Sequence, residues 1–214
     1  MTDWAGLQSN LGITFENLSL LKQAFVHTSY LNENPTFDLP SNERLEFLGD
    51  AVLGLAVADE LYQRYPDLTE GEMTKLRSSL VSGKTLAHLA ASLHLGDYLY
   101  LGKGEEIKGG RERNSNLAAV MEAVLGAIFL EHGFAMAKDL TLRLLGAELE
   151  RITKEGSVTD YKSRLQEVAQ AREQITPSYR TIEVVGPAHD RMFTVEVMVG
   201  GTVMGRGKGK RKQV

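Results

Sequence analysis

The chain has 214 residues, with 24 basic and 28 acidic side chains, a net charge of −4 and no cysteine. A chain of this length can bury a sizeable core and form one large or two modest domains. The lack of cysteine excludes a disulfide framework and thiolate metal sites. No signal-peptide pattern opens the chain and no apolar run reaches the roughly 18–20 residues of a membrane span, so we expect a cytoplasmic protein without a membrane partner.

The charge is divided unevenly along the chain. Residues 1–157 carry 14 basic and 22 acidic side chains, whereas residues 158–214 carry 10 basic and 6 acidic ones. The run 205–212 holds five cations and no anion. Such a run either neutralises several phosphates or is a solvated tail, and both readings stay open at this point.

The first 40 residues predict short helices over 3–11 and 17–26, followed by a loop between Pro35 and Pro40. His27 lies among aromatic residues. We interpret it as a core residue rather than a ligand.

The segment Asn42–Leu53 carries the strongest chemical signal. In a helix, Glu43, Glu46 and Asp50 fall at positions i, i+3 and i+7, so three carboxylates share one face. The residues after Asp50 are apolar nearly all round, which predicts a core helix. Carboxylates at the edge of a core repel one another unless a cation joins them, and a hard divalent ion bound through oxygen atoms fits best.

The next stretch predicts further helices. Residues 65–67 break the pattern, and Thr69 with Glu72 forms a capping-box signature. Helical periodicity continues over 73–93. The charged, glycine-rich segment 101–113 is predicted as a solvated loop without a core of its own.

Residues 116–130 predict a helix with a single charge, Glu122, that ends near Gly133. A lone carboxylate in such a helix is costly unless it is neutral, paired or bound to metal. No Lys, Arg or His lies within one turn of Glu122. We therefore expect one site built from this helix and the acidic helix before it, with a helix edge facing water as the alternative.

Beyond this helix the pattern changes from all-helical to mixed. A helix over 135–152 leads into a polar linker, 153–157. The expected elements after the linker are a helix over 160–172, strands over 179–185 and 191–199, and a hairpin at Gly200–Gly201 that leads into 202–204.

In these residues the chain resembles the ribonuclease III family. The segment Asn42–Leu53 resembles the family signature, and the likeness continues through Glu70–Met73, the glycine-rich loop, Glu122–Ile128 and Asp160–Lys162. The resemblance implies an all-α, homodimeric endonuclease domain over 1–152 and a small α+β double-stranded RNA-binding domain of the α-β-β-β-α type over 158–214.

The resemblance also implies a function and its residues. The family cuts RNA duplexes, such as ribosomal RNA precursors, with Mg²⁺ or Mn²⁺ and no small-molecule cofactor, and leaves 5′-phosphate and 3′-hydroxyl ends. Asp50 and Glu122 would be catalytic and, with Glu46, would hold the metal, while Glu43 and Glu70 would line the same valley. The residues implied for RNA binding are Ser163, Gln166, Glu167, the loop around His189, Lys208, Lys210 and Arg211.

Two features depart from the family pattern. Ala119 stands where the family has a metal-ligand aspartate, one turn before Glu122, so we expect impaired cleavage. The chain also ends at Val214, where the final helix of the second domain would begin. We expect a trimmed chain there, and an engineered substitution would account for Ala119.

Two other functions remain as alternatives. One is a protein of the same fold that binds double-stranded RNA without cutting it, and an aspartate at position 119 in related chains would argue against that reading. The other is a metal-independent helical interaction domain, which leaves the carboxylates unexplained.

Overall fold

The computed structural model describes residues 3–154, 161–187 and 191–209. The chain divides into two compact units, 1–158 and 159–214. In the described residues the first unit is helical and the second pairs one helix with a three-stranded sheet, so the predicted fold class is confirmed. The elements are α1 (Trp4–Leu11), α2 (Leu18–Gln23), α3 (Thr28–Glu33), α4 (Glu43–Arg64), α5 (Glu70–Leu80), α6 (Gly83–Ser92), a 3-10 helix (Leu95–Tyr98), α7 (Lys103–Ile107), α8 (Asn114–Lys154), α9 (Tyr161–Glu173), β1 (Ser178–Val185), β2 (Met192–Val199) and β3 (Thr202–Gly209).

Helices α4 and α8 form the centre of the first unit, with α2, α5 and α6 packed against α8. Their facing side chains, such as Leu53 and Leu125, are almost fully buried. By length and composition α8 could cross a membrane, but 56% of its most apolar stretch is buried inside this unit. Its hydrophobicity is therefore that of a core helix.

The backbones of α4 and α8 touch where the two helices cross. A Cβ atom at Gly49 would overlap the carbonyl oxygen of Glu122, and a Cβ atom at Gly126 would overlap the carbonyl oxygen of Leu45. Any larger residue at either glycine would force the helices apart, because a packed interior has no space to receive it. This contact fixes the distance between the two acidic helices.

Polar residues fix where α4 and α5 begin. The Thr69 side chain accepts a hydrogen bond from the Glu72 N–H, and the Glu72 carboxylate accepts one from the Thr69 N–H at 2.9 Å, which confirms the predicted capping box. Asn42 precedes α4 and donates its amide to the carbonyl of Ala24 at 3.3 Å and its backbone N–H to the carbonyl of Val26 at 2.8 Å. The start of α4 is thereby tied to the segment before α3.

The glycine-rich segment 101–113 is mostly exposed, as predicted, but it is not an irregular loop. It contains α7, and the Arg111 guanidinium forms a bidentate ion pair with Glu106 at 2.6 and 2.8 Å. The same guanidinium donates to three backbone carbonyls, those of Gly96, Asp97 and Leu99, at 2.9, 3.2 and 3.0 Å. Apolar periodicity gave no sign of this order because polar contacts hold the segment.

Helix α8 is interrupted at Gly133, whose φ of 80° and ψ of −179° are not helical. The predicted end near Gly133 corresponds to this break. The second helical segment reaches Lys154, two residues past its predicted end. Residues 155–160, which include most of the predicted linker, lie outside the described residues.

In the second unit the strands are antiparallel in the order β1-β2-β3, with the predicted hairpin between β2 and β3. Strand β3 extends to Gly209, beyond the predicted end at Met204. The first half of the basic run is therefore part of the sheet, and the reading of this half as a solvated tail was wrong.

A buried carboxylate joins all three strands. Glu196 of β2 accepts hydrogen bonds from Arg180 of β1 at 2.9 Å and from Arg206 of β3 at 2.7 Å. Glu196 is buried between the two arginines, and the hydrogen bond from Arg180 is the largest cause that lowers the pKa of Glu196.

We predict that Gly126→Ala lowers the free energy of unfolding by about 1–3 kcal/mol, because the added methyl group overlaps the backbone of α4. The matched control is Gly146→Ala in the same helix, where an added Cβ meets no atom within 4 Å. Alanine favours the helix there by about 0.5–1 kcal/mol. Urea denaturation followed by circular dichroism measures both, and equal changes in the two variants would refute the close contact.

Candidate active site

Helix α4 presents three carboxylates at the edge of the core. Glu43 and Asp50 are exposed, and Glu46 between them is half-buried. The Ser41 hydroxyl donates to the Glu43 carboxylate at 2.8 Å, at the first turn of the helix. The predicted shared acidic face is therefore present on α4.

Helix α8 adds the fourth carboxylate. Glu122 is half-buried. Gly49 approaches the backbone carbonyl of Glu122, so Glu122 lies across the helix crossing from Asp50, the residue next to Gly49. Burial raises the pKa of Glu122 to about 7, and the charges of Asp50 and Glu46 add to the effect. The expected juxtaposition of Glu122 with the acidic face of α4 is therefore found.

Glu46 responds to the same surroundings. Burial is the largest cause that raises the pKa of Glu46, followed by the charge of Glu43, and Asp50 contributes in the same direction. His27 acts in the opposite direction on Glu46. The cluster thus consists of carboxylates that destabilise one another's charged forms.

His27 is half-buried at the N-cap of α3, not in the core as predicted. Its Nδ1 accepts a hydrogen bond from the Ser29 N–H at 3.2 Å and lies 2.7 Å from the Ser29 hydroxyl. This capping bond requires the ring to stay at the helix end, near Glu46. Sequence periodicity could not reveal this position, because it depends on contacts with distant segments, such as the hydrogen bond from the His27 N–H to the carbonyl of Tyr100 at 3.1 Å.

The cluster is acidic without forming a complete metal cage. Within residues 3–154, 161–187 and 191–209, no three His, Cys, Asp or Glu side chains come close enough together to hold a metal ion. Ala119 is half-buried one turn before Glu122 and supplies no donor atom. The metal role of Glu46, Asp50 and Glu122 therefore stays a prediction.

Glu70 is the first residue of α5 and lies near the C-terminal end of α4. It accepts a hydrogen bond from the Thr74 hydroxyl at 2.9 Å and lines a pocket of about 240 Å³ together with Tyr62 and Arg77. Tyr62 follows Asp50 by twelve residues in α4, which corresponds to about 18 Å along the helix axis. A single chain therefore does not bring Glu70 to Asp50, and its place in the valley stays a prediction.

The residues expected to contact RNA are only partly described. Gln166 on α9 and Lys208 on β3 are exposed, and Lys208 pairs in register with Thr194. Ser163 and Glu167 lie in α9, but their side chains are outside the described part. His189, Lys210 and Arg211 lie outside the described residues altogether.

We predict that Glu122→Gln stabilises the metal-free protein at pH 8 by about 1–2 kcal/mol and has little effect near pH 4.5. The folded chain keeps the Glu122 proton up to about pH 7, whereas the unfolded chain loses it near the ordinary value of 4.5. Stability therefore falls as the pH rises from about 4.5 to 7, and glutamine removes this loss. Urea denaturation in a chelator measures it, with exposed Glu16→Gln as the control, and parallel pH profiles for wild type and Glu122→Gln would contradict it.

Comparison with known proteins agrees with this geometry. Residues 17–149 match the family described as Ribonuclease-III-like, and residues 161–214 match the double-stranded RNA binding motif. Ribonuclease 3 of Dehalococcoides mccartyi is 48% identical over 213 residues, which cover 100% of this chain and 90% of that protein.

Solved structures show the same likeness. The nuclease domain of ribonuclease III from Campylobacter jejuni has a TM-score of 0.63 and 40% identity, and the match covers 69% of this chain and 97% of that one. A second structure of that domain, described for flexibility in a region involved in dimer formation, has a TM-score of 0.61 and 42% identity over 65% of this chain and 93% of that one. This chain therefore belongs to the ribonuclease III family and is an endoribonuclease with a helical nuclease domain and a double-stranded RNA-binding domain.

Proposed function

We propose that this endoribonuclease cuts double-stranded RNA with Mg²⁺ held by Glu46, Asp50 and Glu122, and leaves 5′-phosphate and 3′-hydroxyl ends. Structured precursors such as those of ribosomal RNA, in the cytoplasm, are the proposed substrates. The observation that carries the proposal is the close contact of α4 and α8, which places Glu122 beside Asp50 and Glu46, and the raised pKa of Glu122 supports it. Such mutual destabilisation of carboxylates at a helix crossing is typical of a site that awaits a cation.

The donor atoms fit the proposed ion in kind. All are carboxylate oxygens, which Mg²⁺ prefers, and the part of the cluster at Asp50 is open to water. When bound, a divalent cation lowers the pKa of a water molecule and neutralises charge on the leaving oxygen. The protein's own contribution is to hold Glu122 and Asp50 across the glycine contact, so that oxygen ligands come from two rigid helices.

One of the expected metal ligands is missing, because Ala119 has no oxygen atom in its side chain. An aspartate there would lie one turn from Glu122 on the same side of α8, within reach of the cluster. Its absence favours weak metal binding and slow cleavage in this chain. It is also the observation that favours the second candidate function, a protein that binds duplex RNA without cutting it.

We predict that Ala119→Asp raises the cleavage rate of a duplex RNA by roughly 10- to 100-fold, because it completes the acidic cluster. Affinity for the RNA, measured in Ca²⁺ or chelator, should stay within about twofold, because the added group lies at the cluster and not on the RNA-binding domain. Ala119→Asn is the matched control, since it adds the same shape without the charge. Single-turnover assays decide between the candidates, and equal rates for all three proteins would refute the proposed role of position 119.

We also propose that the helical unit forms a homodimer through α4. Phe47, Leu55 and Tyr62 are 81%, 58% and 73% exposed and follow one side of this helix. Such a continuous apolar stripe on a surface is a mark of an interface. A second copy is the partner that fits, because cutting both strands of a duplex needs two sites and a twofold axis supplies them.

A twofold axis across this stripe would also account for Glu70. The stripe runs from Phe47, near Asp50, to Tyr62, near Glu70. If the twofold axis is perpendicular to α4, the two copies of α4 pack with opposite ends together. Glu70 of one protomer then approaches Asp50 of its partner, which supports the predicted valley as a feature of the dimer.

We predict that Phe47→Asp converts the protein to a monomer at micromolar concentration, because a charge placed within the apolar contact is left without a partner. Ile107→Asp is the matched control, since Ile107 on α7 is also exposed, at 85%, but lies off the stripe. Sedimentation velocity measures the outcome. A wild-type monomer, or a dimer that survives Phe47→Asp, would contradict the proposed interface.

A further inference from the structure

A groove of about 500 Å³ lies on the helical unit, between α6, the 3-10 helix and the beginning of α8. None of the carboxylates of the candidate active site lines it. Its floor contains the buried side chains of Ala87 and Leu117. Its rim is polar, and the volume lies within the range of pockets that hold small organic ligands.

Three side chains of the rim can meet a ligand, and one of them, His88, also lies near Glu148, whose pKa is lowered by its hydrogen bond from Arg151 and to a smaller extent by His88. Lys84 and His88 stand one turn apart on the same face of α6, and His94 follows the end of that helix; all three are exposed. Within residues 3–154, 161–187 and 191–209, none of the three side chains has a hydrogen bond or an ion pair. Arg111, which also lines the groove, is instead committed to Glu106 and to backbone carbonyls.

The backbone holds His94 in an uncommon conformation. Its φ of 55° and ψ of 31° lie in the left-handed region, which residues other than glycine rarely adopt. Its N–H donates to the carbonyl of Ala91 at 3.0 Å and its carbonyl accepts from the N–H of Asp97 at 3.2 Å. The residues that follow His94 are held by Arg111, which donates hydrogen bonds to the carbonyls of Gly96 and Asp97. The imidazole is therefore presented at the rim by a preformed turn.

The residues that line the groove carry nearly balanced charge, which indicates the class of ligand that the groove can bind. Asp97 and Glu112 also line the groove and offset the charges of Lys84 and Arg111. A bare anion gains little from such a balanced lining. A nucleotide fits better, because it combines one phosphate with a flat base that stacks on imidazole and forms hydrogen bonds with carboxylates and amides.

One end of the groove lies closer to the candidate active site than the other. Gly83, next to Lys84, is at van der Waals distance from Ala118, since a Cβ atom there would lie 4.0 Å from the Ala118 Cβ. Ala118 adjoins Ala119 of the candidate active site. Because Ala118 lies four residues before Glu122, on the same side of α8, Lys84 is at the end of the groove nearer the catalytic cluster. Leu117, five residues before Glu122, projects from a different side of α8.

We propose that this groove binds one unpaired nucleotide of the RNA substrate, with its phosphate at Lys84 and its base against His88 and His94. The proposal rests on the proposed function, since it concerns the same RNA. It makes the enzyme sensitive to a bulge, a loop or a strand end close to the cleaved bond, which a regular duplex does not supply.

The first test uses the full chain without RNA. Histidine ring signals are followed by NMR while 5′-AMP or inorganic phosphate is added at equal concentrations. We expect 5′-AMP to shift the His88 and His94 signals and phosphate to leave them unchanged. Equal shifts with the two ligands would overturn the proposal, because they indicate an adventitious ion only, and so would the absence of any shift.

The second test uses RNA. The double variant His88→Gln and His94→Asn removes both rings, and asparagine tolerates the left-handed backbone. Binding is compared for a fully paired duplex and for duplexes that carry one unpaired nucleotide at successive positions. We expect wild type to prefer one position of the unpaired nucleotide, and the variant to bind that RNA roughly tenfold more weakly and the paired duplex equally well.

Lys22→Gln on α2, outside the groove, is the control and should leave both affinities unchanged. Equal losses on paired and unpaired RNA, or no positional preference in wild type, would overturn the proposal. Failure of the proposed cleavage function can be told apart from failure of this proposal. In that case Ala119→Asp would not cut the paired duplex, while 5′-AMP would still shift the His88 and His94 signals.

Discussion

The backbone contact between α4 and α8 at Gly49 and Gly126 sets the positions of the groups that carry the chemistry. Helix axes usually stand 8–10 Å apart because side chains fill the space between them. At this crossing the glycines Gly49 and Gly126 have no side chains, so the backbones touch. Short carboxylate side chains on the two helices can therefore face each other across the contact. The same contact holds Glu122 close enough to Asp50 and Glu46 for their charges to add to the effect of burial on its pKa.

This arrangement is unfavourable for the folded protein taken alone. Burial and neighbouring carboxylates raise the pKa of Glu122 and of Glu46, so the charged cluster opposes folding at neutral pH. Structures retain such repulsion where a ligand will relieve it. The second unit has the opposite character, with a cationic surplus on 158–214. Chemistry and attraction for a polyanion are thus assigned to separate units of the chain.

Local patterns were sufficient to predict the helices that carry the site. The spacing of Glu43, Glu46 and Asp50 and the isolation of Glu122 both follow from helical periodicity within one segment. The position of His27, the role of Arg111 and the touching glycines depend on contacts between distant segments, which periodicity does not encode. The place of Glu70 could not be predicted from periodicity either, because Glu70 lies on α5, near Tyr62 and far from Asp50 along α4.

The hydrogen bonds of Arg111 have a consequence for how the helical unit opens. One guanidinium binds the carbonyls of Gly96, Asp97 and Leu99 and the carboxylate of Glu106, so the 3-10 helix and α7 are joined through a single side chain. Loss of that anchor releases all of these acceptors together. The 3-10 helix and α7 therefore behave as one cooperative unit in local unfolding, and their amide protons exchange with solvent through a common opening event.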